Sequence, residues 1–139
     1  MNEKLIIFPS QVDEKLVINK DYNDPYTCAP TSWDKLRNII EDRYYKLGPG
    51  TQQKPIDFND VDVSNINSFY NEDNDKGIFE ETNFKYIDIS DWDVSNVKNM
   101  NAMFWNCNNL VSIGDLSNWN VSNIKNMGRM FSICKQLNN

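Results

Sequence analysis

The 139-residue chain contains no histidine. That removes the commonest general base, the commonest zinc ligand and any Ser-His or Cys-His catalytic pair. Cysteine is scarce as well. Cys28, Cys107 and Cys134 are an odd number at wide spacing with no CxxC pair, so neither a disulfide framework nor a cysteine-built zinc site is expected. The five glycines are scattered and assemble no phosphate-cradling loop, and the sequence holds no nucleophile elbow. No apolar run approaches the roughly 18 residues of a membrane-spanning helix. The opening MNEKLIIFPSQVDE has only a short apolar patch, against the about 7–15 residues of a secretory signal, which predicts a cytoplasmic location. Together these absences argue against an enzyme, and no cofactor or bound metal is expected.

What is present suffices for one folded domain: 40% hydrophobic and 12% aromatic residues. The net charge of −6 is unevenly spread. Residues 1–55 are balanced, residues 56–95 carry eleven acids against Lys76 and Lys85, and residues 96–139 carry Asp115 against four bases. An acidic middle argues against direct nucleic-acid binding, which needs clustered Lys and Arg, and favours a protein partner with a basic surface.

The chain repeats itself. DWDVSNVKNMNAMFWNCNNL at 91–110 aligns without gaps to NWNVSNIKNMGRMFSICKQL at 118–137, an offset of 27. An earlier copy, FNDVDVSNINSF at 58–69, aligns to ISDWDVSNVKNM at 89–100 at an offset of 31. Periods of 20–50 residues mark stacked units that bury their apolar stripe only against a copy. Each copy opens with an L-x-x-L-x-L order: Phe58, Val61, Val63; Ile89, Trp92, Val94; Leu116, Trp119, Val121. That pattern predicts a short strand. Ser64, Ser95 and Ser122 follow as candidate helix caps, and Val97, Met100, Met103, Phe104, Cys107 and Leu110 fall three or four apart, at helical spacing. Trp92 and Trp119 read as core and could stack on each other.

The run DLSNWNVSNIKNMGRMFSICKQLN resembles the BspA-like leucine-rich repeats, the bacterial surface protein 26-residue repeat, over residues 56–139. The resemblance implies an α/β solenoid: a short leucine-rich-repeat stack of three strand-turn-helix units, 56–87, 88–114 and 115–139. It also implies a protein-binding role, commonly in adhesion. Residues 1–55 then form an N-terminal cap. Within it, TSWDKLRNIIEDRYYKLGPG predicts a helix over 32–47, with Thr31 and Asp34 at capping-box spacing and Gly48-Pro49 as the stop. KLIIF and KLVIN suggest two short strands that could pair as a hairpin over 4–19, and DYNDPYTCAP is a loop. Only Asn138-Asn139 follows Leu137, so the edge around Leu116–Val121 is expected to be unpaired. Either a neighbouring molecule covers it, giving self-association through the C-terminal repeat edge, or the short edge is left bare.

Stacking places equivalent acids in columns: Asp57, Asp88, Asp115; Asp60, Asp91, Asn118; Asp62, Asp93, Asn120. For the first column the expectation is local, because Asp readily accepts bonds from turn N–H groups. Asp60, Asp62, Asp91, Asp93, Asn118 and Asn120 should point outward and are the candidate partner-binding residues. NEDNDKGIFEE at 71–81 is oxygen-rich, but placing Gly77 at position six of a calcium loop puts Lys76 at position five, so it is not an EF-hand. Cys107 and Cys134 share a column and are expected as buried free thiols. The functional expectation is a non-enzymatic protein–protein interaction module using the acidic strand face. The alternative is a small acidic intracellular inhibitor, of phage or mobile-element type, blocking the basic nucleic-acid groove of a host or defence enzyme.

Overall fold

The computed structural model describes residues 29–137. The expected hairpin over 4–19, most of the 21–30 loop and Cys28 lie outside the described residues. Helix α1 spans Trp33–Leu47. Its cap is Ser32, one residue after the expected Thr31: the Ser32 hydroxyl accepts from the Lys35 N–H at 3.2 Å. Asp34 in the first turn and Lys46 in the last complement the helix dipole. Gly48, at φ 79°, ends the helix and donates its N–H to the Tyr44 carbonyl at 2.8 Å. A side chain would strain that left-handed backbone. Leu36 and Ile40 are fully buried on one face, as their spacing of four requires.

The strands are short. β1 (Ile56–Asp57) pairs in parallel with β4 (Ile87–Asp88), while β2 (Tyr70–Asn71) pairs antiparallel with β3 (Lys76–Gly77). Isolated parallel bridges join Ser68 to Asn99, Asn99 to Asn126, and Tyr86 to Ser112.

The expected α/β solenoid of three strand-turn-helix units is therefore corrected. The described residues hold one helix, α1, and two two-stranded sheets; no described part of a repeat block is helical. The region 97–110 is a succession of tight turns instead. N–H groups of Met103, Trp105, Cys107 and Leu110 each bond the carbonyl three residues back. Two forces defeat the helix. Ala102 and Asn106 have φ of 57° and 59°, and Arg129 and Ile133 repeat this at 55° and 61°. Such left-handed residues cannot propagate a right-handed helix. The asparagines also compete for backbone: Asn99 Oδ1 accepts from the Asn101 N–H at 2.8 Å, and Asn126 does the same for Gly128 at 2.9 Å. The L-x-x-L-x-L segments are turns too, since Val61, Trp92 and Trp119 donate to Phe58, Ile89 and Leu116 three residues back. Apolar residues three apart fit either structure.

Matched positions in successive blocks nevertheless bond to one another. Trp92 Nε1 donates to Phe58 O at 2.8 Å, and Trp119 Nε1 to Ile89 O at 3.1 Å. Asn96 and Asn123 side chains donate to Ser64 O and Ser95 O at 2.8 and 2.7 Å. The Cys107 and Cys134 thiols bond Phe79 O and Phe104 O at 3.1 and 2.9 Å. The buried tryptophan packs on phenylalanines: Trp92 contacts the rings of Phe58, Phe69 and Phe79. The aromatic ladder is Phe79–Phe104–Phe131, with centroids 5.2 and 5.6 Å apart and near-parallel planes.

α1 closes the other side of the first block. Trp33 Nε1 donates to Phe69 O at 3.2 Å. Arg37, 8% exposed, donates from Nη1 to Ile78 O and Glu80 O at 3.0 Å each, and its Nε pairs with Glu41 at 2.7 Å.

Candidate binding face

All six candidate residues are exposed. Their surroundings differ. Asp60 is held by Arg43 in a two-pronged ion pair, both N···O distances being 2.6 Å, and Arg43 also bonds Asp57 O and lies over the Phe58 ring. That carboxylate is thus largely committed to fastening α1. Asp62 and Asp93 each accept from the N–H and hydroxyl of the serine two residues on, at 2.6–3.0 Å. Asn120 does the same with Ser122 at 3.1 and 2.8 Å. The serines expected to cap helices instead donate to the preceding Asx side chain.

The first column behaves alike. Asp57, Asp88 and Asp115 accept from the N–H groups of Asn59, Ser90 and Ser117 at 2.8–2.9 Å. Burial works to raise Asp88, but hydrogen bonds from the Ser90 hydroxyl and N–H outweigh it and hold the carboxyl below its usual value. The Ser95 hydroxyl and N–H lower Asp93, and the Ser117 N–H, ahead of its hydroxyl, lowers Asp115. Asp91 is different: its carboxylate has no hydrogen bond or ion pair with any described residue, while its N–H is held by Asn59 Oδ1 at 2.8 Å. Asp91, Asp93, Asn118 and Asn120 border one shallow depression of about 280 Å³ together with part of Trp92.

A family model described as "Mycoplasma protein of unknown function, DUF285" matches residues 51–139. The chain belongs to the DUF285 family. The DUF285 segment takes in all three blocks and leaves out α1. No curated protein and no solved structure matches the chain.

Several oxygen groups of the acidic stretch inside the DUF285 segment are engaged by protein partners. Asn71 Oδ1 accepts from Asp73 and Asn74 N–H groups, Asp75 pairs with the Tyr70 hydroxyl and with Arg129, and Glu80 holds the Gly77 N–H at 2.9 Å. Among the described residues no three His, Cys, Asp or Glu side chains gather as a metal set. Cys107 and Cys134 are free thiols; burial pushes Cys107 up to about 11 and raises Cys134. No helix among the described residues is long and apolar enough to cross a membrane. Two contributors escaped the sequence reading. Phe79 is the first-block partner of Phe104 at an offset of 25, hidden because the 31-residue offset of residues 58–69 does not carry through to it, although Ile78-Phe79 mirrors Met103-Phe104. Arg37 carries no signal in the sequence that separates it from the other polar positions of the helix.

Proposed function

We propose that this chain is a non-enzymatic protein-binding module that meets a basic partner surface with the face around Asp91 and Asp93. The observation that carries the reading is the shared depression: Asp91, Asp93, Asn118 and Asn120, from two successive blocks, line one concavity in which the Asp91 carboxylate is unengaged by described residues. The likeness of the blocks to BspA-like repeats, whose usual role is to bind proteins, agrees with it. A second reading, a small acidic inhibitor filling a basic nucleic-acid groove, is favoured by the eleven acids against two bases over 56–95. It requires affinity that falls steeply with salt.

The test uses amides rather than reversed charges. Asn120 already makes the Asp93-type bonds, so Asp62→Asn, Asp91→Asn and Asp93→Asn together remove three charges and keep the turns. Proteins of the source organism captured by wild type should be lost with the triple variant. An unchanged capture profile would end the acidic-face reading.

A further inference from the structure

The blocks are joined by columns of aligned peptide groups. Phe69 N–H bonds Asn99 O, and the next N–H on that peptide, Met100, bonds Asn126 O, at 2.8 Å each. Phe79 N–H bonds Met103 O, then Phe104 N–H bonds Met130 O. Glu81 N–H bonds Trp105 O, then Asn106 N–H bonds Ser132 O. Ala102 N–H bonds Gly128 O. In these columns the carbonyls face α1 and the N–H groups face the third block, while one line runs the other way, Lys98 N–H bonding Asn67 O at 2.9 Å and Lys125 N–H bonding Lys98 O at 2.8 Å. Peptide dipoles added head to tail leave partial negative charge at one end and positive at the other, as in a helix. At the carbonyl end of two columns, Ile78 O and Glu80 O receive the Arg37 guanidinium. At the opposite end the N–H groups of Met127, Arg129, Phe131 and Ile133 have no acceptor among the described residues.

That outer face is also apolar. Val121, Met127, Phe131 and Ile133 are 42–47% exposed. A cavity of about 620 Å³ opens there among Ile113, Leu116, Phe131, Cys134 and Leu137. The matched residues one block earlier, Ile89, Phe104, Cys107 and Leu110, are at most 2% exposed, because the third block covers them. Leu116 O and Ser122 O stand where Ile89 O and Ser95 O take the Trp119 and Asn123 side chains.

We infer that this face is a docking site for the carbonyl side of a further block of the same repeat, carried on another segment of polypeptide. Such a block offers carbonyls at every second residue to the four N–H groups, and Trp, Asn and Cys donors to the third-block carbonyls. It continues the interface already formed between 88–114 and 115–137. A second copy meeting this same face offers only the separated Leu116, Ser122 and Lys125 carbonyls, whereas a repeat block offers one carbonyl in register for each of the four N–H groups. The inference is independent of the acidic face.

The test inserts a second copy of residues 111–137 between Leu137 and Asn138 of the full chain, in native or scrambled order, and follows amide exchange by NMR. In the unextended chain the Met127, Phe131 and Ile133 amides should exchange at near-random-coil rates, while those of Phe104 and Met100 are protected. The native-order extension should slow the three outer amides at least about 100-fold, as attachment supplies a high effective concentration; the scrambled one should not. Protection already present in the unextended chain would show that the face is occupied and overturn the inference. So would no protection on extension, equal protection by the scrambled block, or a solution dimer that protects the same amides.

Discussion

Replacing Arg37 by Met should cost about 2–4 kcal/mol of stability. The side chain is 8% exposed, and its Nη1 is the donor for Ile78 O and Glu80 O at 3.0 Å. Each bond involves a charged donor, contributing about 1.5–3 kcal/mol. Methionine fills most of the volume and relieves the cost of desolvating the guanidinium, which offsets part of the loss. It leaves two buried carbonyls without a donor at the negative end of two dipole columns. The ion pair to Glu41 is a minor share, since that carboxylate is 58% exposed and such i,i+4 pairs are worth about 0.3–0.5 kcal/mol. Urea unfolding at neutral pH, with the slope checked for constancy, measures the difference. Arg37→Lys, which keeps the charge but lacks the planar fork that lets Nη1 reach the two carbonyls while Nε holds Glu41, should fall between wild type and Met. Should Arg37→Met lie within about 0.5 kcal/mol of wild type, or Glu41→Ala cost as much as Arg37→Met, the account of a capped carbonyl end would be wrong.

Gly77→Ala should destabilise by about 3 kcal/mol or prevent folding, because a Cβ there would sit 1.9 Å from the Ala102 carbonyl oxygen; an unchanged thermal midpoint would refute that close approach. Asp88, Asp93 and Asp115 are held below the usual carboxylate value, so their contribution is full above about pH 4 and is lost as pH falls through their folded values. Asp93→Asn with Asp115→Asn should therefore flatten the acid limb of the stability–pH curve while leaving neutral stability near wild type. Cys107, buried and raised to about 11, should be labelled by a thiol reagent at pH 8 only at the rate of unfolding, and fast labelling of the folded chain would contradict its burial.

The repeat register was legible because Trp92/Trp119, Phe104/Phe131 and Cys107/Cys134 are large or rare residues whose coincidence fixes an offset. Those pairs do occupy matched places, each side-chain donor reaching one block back. α1 was legible from its apolar spacing and from Gly48. The helices expected within the blocks misread a degenerate signal. A spacing of three is also that of successive turns, and Asn99 and Asn126, whose side chains take the backbone N–H two residues on, with Asn106 in the left-handed region, decide between them. At the candidate face, column and exposure followed from the register. The local use of Asp62 and Asp93 has a signal of its own, the serine two residues on that marks an Asx turn. Arg37 was not readable at all, since its value depends on carbonyls some forty residues away.

Scalar couplings measured across hydrogen bonds test the central claim most directly, that successive blocks are tied by polarised columns of peptide groups. Couplings are predicted from the amide nitrogens of Met100, Phe104 and Asn106 to the carbonyl carbons of Asn126, Met130 and Ser132. Couplings from the same nitrogens to carbonyls four residues earlier in the chain, the pattern of a continuous helix, would contradict it.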